Sequence, residues 1–204
     1  MPYNPLKRHS GLRLLQPGQA IGMITRKQQE RARQQVAEMM RRAGIFITGR
    51  EAQGIEVVDF GLNRLEQEGV QVLTLVQTGR ISVKALALFP NQTEPEHWHP
   101  PVGPDPGKEE TIRVISGTLY LYVPGENTFR EGFLVNGKEH CYTVRHEHVM
   151  RPGDQITLAP GVKHWFQARD EGVVMYSFST VARDVMDQFT DKDVVRTTKI
   201  AEGR

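Results

Sequence analysis

Two rhythms of apolar and polar positions divide the chain. From Thr25 to Arg42 the run TRKQQERARQQVAEMMRR holds strong helix formers and no glycine or proline. Its apolar positions are sparse until Val36, Met39 and Met40, so it predicts an exposed helix with one narrow buried stripe. Thr25 suits the N-cap and Gly44 the stop. After Gly49 the rhythm shortens. Ile55–Phe60, Val70–Val76, Ile81–Phe89, Thr111–Val123, Cys141–Val149, Gln155–Ala159, His164–Ala168 and Gly172–Ser179 are short runs rich in β-branched and aromatic residues. Gly, Pro, Asn and Asp separate them, and they predict strands. Many strands at close spacing predict an all-β sandwich or barrel, and the lack of long intervening helices argues against a doubly wound α/β fold.

The ends of the chain differ from this middle. Pro2, Pro5, Gly11, Pro17 and Gly18 make an irregular arm of residues 1–24. Residues 25–180 carry the helix and the barrel. Residues 181–204 are polar, and the stretch DVMDQFTDKDVV reads as a short helix or as a strap over the barrel mouth. A length of 204 residues suffices for one packed domain with such extensions.

Charge and cysteine content exclude some partners. Lys and Arg number 26 against 24 Asp and Glu, with no dense basic run. Nothing here draws the chain to nucleic acid or an anionic membrane. The single cysteine, Cys141, rules out an internal disulfide and a thiol-only metal site, and it fits a reducing compartment. There is no apolar run of membrane-spanning length, and the N-terminus lacks the pattern of a secretory signal. These features lead us to expect a soluble cytoplasmic protein.

The chemistry concentrates in PEHWHPPVGPDPGKEETIRVISGTLYLYV, residues 95–123. On a strand His97 and His99 point to one face, and Pro100 disfavours helix at His99. Glu110 opens the next strand run. Facing inward, it carries Ile112 and Val114 to the inner face and needs a cationic partner there. His164 begins a strand after the Pro160-Gly161 turn. Three imidazoles and one carboxylate suit Mn, Fe, Zn, Co or Ni better than Ca or Mg. A lone histidine in a strand is more often exposed or satisfied by a neighbour. The pair His146 and His148 lacks a following carboxylate and glycine at suitable spacing, and it reads as a surface or rim feature. His140 also reads as a non-ligand.

The ensemble resembles the two motifs of the cupin superfamily. His97 and His99 are followed by Glu110, six residues and Gly117; Gly153, Pro160, Gly161 and His164 match the second motif. The gap of ten residues from His99 to Glu110 exceeds the common pattern, and Ala168 stands where an Asn is usual. The stretches LFPNQTEPEHWHPPV, GKEETIRVISGTLYLYVPGE and APGVKHWFQARDEG are similar to the D-lyxose isomerase family, which shares the long Pro/Gly loop. The likeness spans roughly Thr25 to Thr190.

That resemblance implies a single cupin-type antiparallel barrel (a jelly roll) and a manganese-preferring aldose–ketose isomerase. Its sugars would be D-lyxose and D-xylulose, often also D-mannose and D-fructose. It implies a metal held by His97, His99, Glu110 and His164, with Glu110 serving also as base. Lys108 lies two before Glu110 and is the first candidate for proton transfer, its pKa lowered beside a dication; the alternative is a mobile loop lysine in water. Lys84 sits in the apolar run ISVKALALF, and the resemblance favours an inward side chain there. Phe166 shares a face with His164 and would wall the sugar pocket. Asp184 and Asp187 supply carboxylates if the strap closes over the mouth, and otherwise form a solvated face. Glu109, Trp98 and Trp165 alternate outward. Cupin barrels commonly pair through sheet edges, so a homodimer is expected. The competing functions are another cupin enzyme, such as an iron dioxygenase, and a non-catalytic sugar-binding cupin.

Overall fold

The structure, a computed structural model, describes residues 23–201. The irregular arm lies outside the described residues except at its end, where Met23–Thr25 forms strand β1. Helix α1 (Arg26–Arg42) follows the predicted span. Thr25 and Gln28 cap it reciprocally, with Gln28 N–H donating to Thr25 Oγ1 and Thr25 N–H to Gln28 Oε1. A second helix, α2 (Gly49–Gly54), stands just before the first predicted strand run, where the sequence pattern predicted no element. The same capping box explains it, built by Thr48 and Glu51. Among the described residues no helix is long and apolar enough to cross a membrane.

The strands follow in order: β2 (Glu56–Val58), β3 (Val70–Gln77), β4 (Ile81–Leu88), β5 (Thr93–Trp98), β6 (Glu110–Val123), β7 (His146–Met150), β8 (Gln155–Leu158) and β9 (His164–Thr180). Two short ones, β10 (Gln188–Phe189) and β11 (Lys199–Ala201), come from the tail. β10, β5, β9, β4, β3 and β2 form one path, and β6 joins β9 to β7 and β8. All pairings in this sheet are antiparallel. β1 and β11 make a separate parallel pair.

Two predicted elements change shape. His164–Ala168 and Gly172–Ser179 are one long strand, β9, and not two. Phe166 and Ala168 face the barrel interior in its first half, and Val173 and Met175 in its second, so the inward parity switches between them. β6 switches in the same way, from Ile112 and Val114 to Leu119 and Leu121, with register shifts around Gly117. Each strand therefore bends once and belongs to both halves of the barrel. The second change is Cys141–Val149. Its first part is a 3₁₀ turn, Glu139–Cys141, and only His146–Met150 is strand. The reason is local. Thr143 and Val144 give their amide hydrogens to the Glu96 carboxylate, and Val144 O accepts from Trp165 Nε1, so these groups never enter a ladder.

Three apolar layers result. The barrel interior holds Val72, Leu86, Ile112, Leu121, Phe166 and Met175. On the outside of β3 and β4, Leu73, Ala85 and Ala87 pack under α1 through Val36 and Met40. Trp165, Tyr122 and Tyr142 pack beneath the 124–145 loop. Leu86 and Leu88 point in and Ala85 and Ala87 out, which places Lys84 among the inward positions of β4. The tail is a strap. It makes a 3₁₀ turn at Asp184–Met186, then pairs β10 to β5, setting Phe189 opposite His97.

Candidate metal centre and active site

β5 and β9 bring two imidazoles face to face, because His97 and His164 are direct partners in the antiparallel register. Their ring centroids are 4.2 Å apart. His99 lies just past β5, and its carbonyl accepts the Gly161 amide of the Pro160-Gly161 turn, which ties the two motifs together. One ligand atom from each of His97, His99 and His164 lies within 4.8 Å of the others, and all three residues are buried. Glu110, at the start of β6, approaches from the neighbouring strand. Its Oε2 is 3.1 Å from His99 Nε2 and 3.9 Å from His164 Nε2.

The outer nitrogens are all engaged. His97 Nδ1 meets Pro95 O at 2.8 Å, His164 Nδ1 meets Val162 O at 2.9 Å, and His99 Nδ1 meets Asp187 Oδ1 at 2.7 Å. Donation from Nδ1–H leaves the lone pair on Nε2. His164 Nε2 is buried and has no hydrogen-bond partner among the described residues. An orphaned nitrogen of this kind costs about 1–3 kcal/mol unless something accepts its lone pair. At His99 the Nε2 lone pair would face a Glu110 oxygen, a repulsive contact unless a proton or a cation lies between. This donor set fits a divalent first-row cation, with three neutral nitrogens and one carboxylate.

The charges follow from these contacts. Burial, reinforced by the other imidazoles, holds His97 well below the ordinary histidine range and His164 at about 3. Burial acts the same way on His99, but the hydrogen bonds to Asp187 and Glu110 outweigh it and raise that residue. Burial would raise Glu110, yet Lys108 and His99 hold it well below the carboxylate range. Lys108 Nζ lies 3.0 Å from Glu110 Oε1 and the residue is buried, so it is no mobile loop lysine. Side chains alone raise its pKa: burial lowers it, but Glu110, Asp187 and Asp184 together prevail. The lowering expected beside a dication is thus opposed by Glu110 and by the two strap carboxylates, which do close over the mouth.

Lys84 points inward and pairs with Asp184 of the strap. Arg196 Nη2 lies 3.5 Å from the same carboxylate and also holds Glu56. These residues, with Glu94, His97, Lys108, Glu110 and Asp187, make the polar wall of a cavity whose apolar wall is Val70, Val72, Leu86 and Phe166. Phe166 packs 5.3 Å from His164 by ring centroids. Glu109 is exposed, Trp165 stacks on Tyr122, and Trp98 lies beneath Lys163 on the outer side. His146 and His148 adjoin one another on β7, far along β6 from Glu110, and the described residues bring no third ligand to them.

Sequence reasoning missed Glu94 and Arg196. Glu94 lies three before His97, which on a regular strand means the opposite face. The register slips between them, where Pro95 interrupts the strand, and both residues reach the cavity. Pro95 was the available signal. Arg196 carried none, because only the path of the strap brings it back.

Fold and site together define a cupin-type barrel with a buried histidine trio fit to hold a metal ion. A model of the family described as D-lyxose isomerase matches residues 32–204. The chain belongs to the D-lyxose isomerase family. It is 51% identical over 166 residues to a D-lyxose ketol-isomerase of Cohnella laeviribosi, covering 81% of this chain and 91% of that one. It is 44% identical over 181 residues to a D-lyxose/D-mannose isomerase of Thermosediminibacter oceani, covering 88% and 100%. Among solved structures, the ligand-free L-ribose isomerase of Cellulomonas parahominis superposes with a TM-score of 0.73 over 89% of this chain and 100% of that one, at 15% identity. That likeness is one of fold.

Proposed function

We propose that this protein is a metal-dependent aldose–ketose isomerase interconverting D-lyxose and D-xylulose, and also D-mannose and D-fructose. The observation that carries the reading is the convergence of His97, His99, His164, Glu110 and Lys108 beside one cavity, which His97, Glu110 and Lys108 line, with His164 Nε2 lacking a partner among the described residues. The names of the relatives supply D-lyxose and D-mannose, whose ketose isomers are D-xylulose and D-fructose.

A divalent cation held by His97, His99, His164 and Glu110 would polarise the sugar carbonyl and stabilise the negative charge that develops on its oxygen. The chain's own residues do the rest. Lys108 and His99 hold Glu110 ionised, which suits it to take the C2 proton of a bound aldose and return it at C1 while the O2 hydroxyl proton passes to O1. Lys108 stays charged against Glu110 Oε1 and lends a donor to a sugar oxygen. Ser177 Oγ–H also donates to Glu110 Oε1 and fixes the carboxylate's orientation. Lys84 and Asp184 anchor the strap across the mouth, and Phe166 with the aliphatic wall keeps water from the sugar's carbon face.

Manganese is the proposed ion, since the mixed nitrogen and oxygen set accepts it and the family resemblance favours it. The proposed assembly is a homodimer, supported by Ile81, Val76 and Phe178, which leave one end of the sheet's outer face apolar and exposed. The proposed compartment is the cytoplasm, which suits a lone buried thiol at Cys141. The test is direct. Protein stripped with a chelator is given D-lyxose with and without Mn²⁺, and ketose is followed. Ketose formed only with the ion supports the reading. Its absence from folded, metal-loaded protein overturns the reading.

A further inference from the structure

The carboxyl group of Glu94 faces the cavity from its own rung of the barrel. Glu94 is the register partner of Phe166, just as His97 is the partner of His164. Two to three residues of strand separate the rungs, roughly 7–10 Å. An open-chain sugar with C1 and C2 at the histidine end would extend its remaining carbons toward Glu94 and Phe166. The carboxyl is otherwise idle. Among the described residues it makes no side-chain hydrogen bond, and its Oε2 is shielded from solvent without a partner. Glu96, two residues on, shows the contrast. Its carboxylate is fully employed by the Thr143 and Val144 amides and by the Thr143 and Thr190 hydroxyls, so its role is structural.

A solvent-shielded carboxyl oxygen with no partner is a cost that folding alone does not explain. We propose that Glu94 is the specificity residue that hydrogen-bonds a hydroxyl on the distal carbons of the sugar. Burial, and then the nearby Glu110 charge, push its pKa up to about 8. The shift favours the protonated carboxyl, which can both donate to and accept from a hydroxyl. Arg196, which lines the same cavity and is occupied by Glu56, stands beside that end without competing for the carboxyl. The inference rests on the isomerase reading and adds to it a position in the cavity and a part of the sugar.

The test crosses the residue with the hydroxyl. Mn²⁺-loaded wild type, Glu94→Met and Glu94→Gln are assayed with D-lyxose and with its 4-deoxy and 5-deoxy analogues. In the wild type, removing the contacted hydroxyl should lower kcat/KM about 10–100-fold, because the site's polar group is left unpaired. In Glu94→Met, D-lyxose itself should fall by a similar factor, and the penalty for that deoxy sugar should vanish. Glu94→Gln should retain most of the discrimination. The thermal midpoint of Glu94→Met should match or exceed that of the wild type, since a carboxyl with a shielded, unpartnered oxygen has been replaced by an apolar side chain of similar length. A lowered midpoint with an unchanged deoxy penalty would show a structural role and overturn the proposal. So would wild-type kcat/KM for D-lyxose in Glu94→Met. Failure of the wild type on every aldose would instead overturn the isomerase reading, and this inference with it.

Discussion

His99 Nδ1 lies 2.7 Å from Asp187 Oδ1, a carboxylate 88 residues later in the chain. One imidazole of the barrel is thus oriented by the strap that crosses its mouth. Asp187→Ala should remove that support without touching the Nε2 lone pair. Loss of such an outer hydrogen bond weakens metal binding about 10–100-fold. Competition titration against a chromophoric chelator reads this directly. Affinity equal to the wild type's would mean that the ring is held by packing alone.

The two HxH pairs should separate cleanly. His164→Ala takes one nitrogen from the buried trio, whereas His148→Ala alters a half-buried strand residue with no third ligand nearby. After dialysis against Mn²⁺ and desalting, elemental analysis should find His148→Ala loaded like the wild type. His164→Ala should lose most of its metal and fall in ketose formation by several orders of magnitude. Equal loss in both variants would place metal on β7 as well.

Much of this was legible in the sequence, for identifiable reasons. His97 and His99 obey strand alternation, Glu110 carries Ile112 and Val114 inward, and His164 follows a turn that Pro160 and Gly161 specify. Each is a local rule satisfied locally. Where local rules failed, either a distant residue had intervened or the strand had changed phase. Thr143 and Val144 left the predicted strand because Glu96 takes their amides. β9 read as two strands because Gly172 marks a bend and not an end. Glu94 was hidden by a slip of register at Pro95, and Arg196 by the path of the strap. Spacing along the chain reports faces only while the ladder stays in phase.

Lys84 and Asp184 form an ion pair between β4 and the strap, with side chains 8% and 23% exposed. Lys84→Met should leave Asp184 with Arg196 as its remaining ion-pair partner and Lys108 as a further nearby cation. The expected destabilisation is on the order of 1–3 kcal/mol, below the usual cost of orphaning a fully buried charge because Arg196 compensates in part. Urea unfolding of metal-free protein checks the value. The double variant Lys84→Met, Asp184→Leu should recover part of the loss, and a loss equal to the sum of the single ones would show that the pair is not coupled.

Gly117 and Gly137 have nearly the same backbone, with φ of +83° and +79°, but different surroundings. A Cβ on Gly117 would fall 2.0 Å from the Gly172 carbonyl oxygen, where β6 and β9 bend past each other; a Cβ on Gly137 would meet nothing within 4 Å. Alanine at 137 should cost only the left-handed conformation, about 1–2 kcal/mol. Alanine at 117 should cost that strain plus a backbone clash that no rotamer relieves, together more than about 3 kcal/mol. Denaturant midpoints of the two variants give the difference, which isolates the close approach from the dihedral. A difference near zero would mean that β6 and β9 can part at the corner. The inward parity of Ile112 and Val114 against Leu119 and Leu121, and with it the inward aim of Glu110, would then depend on something other than that contact.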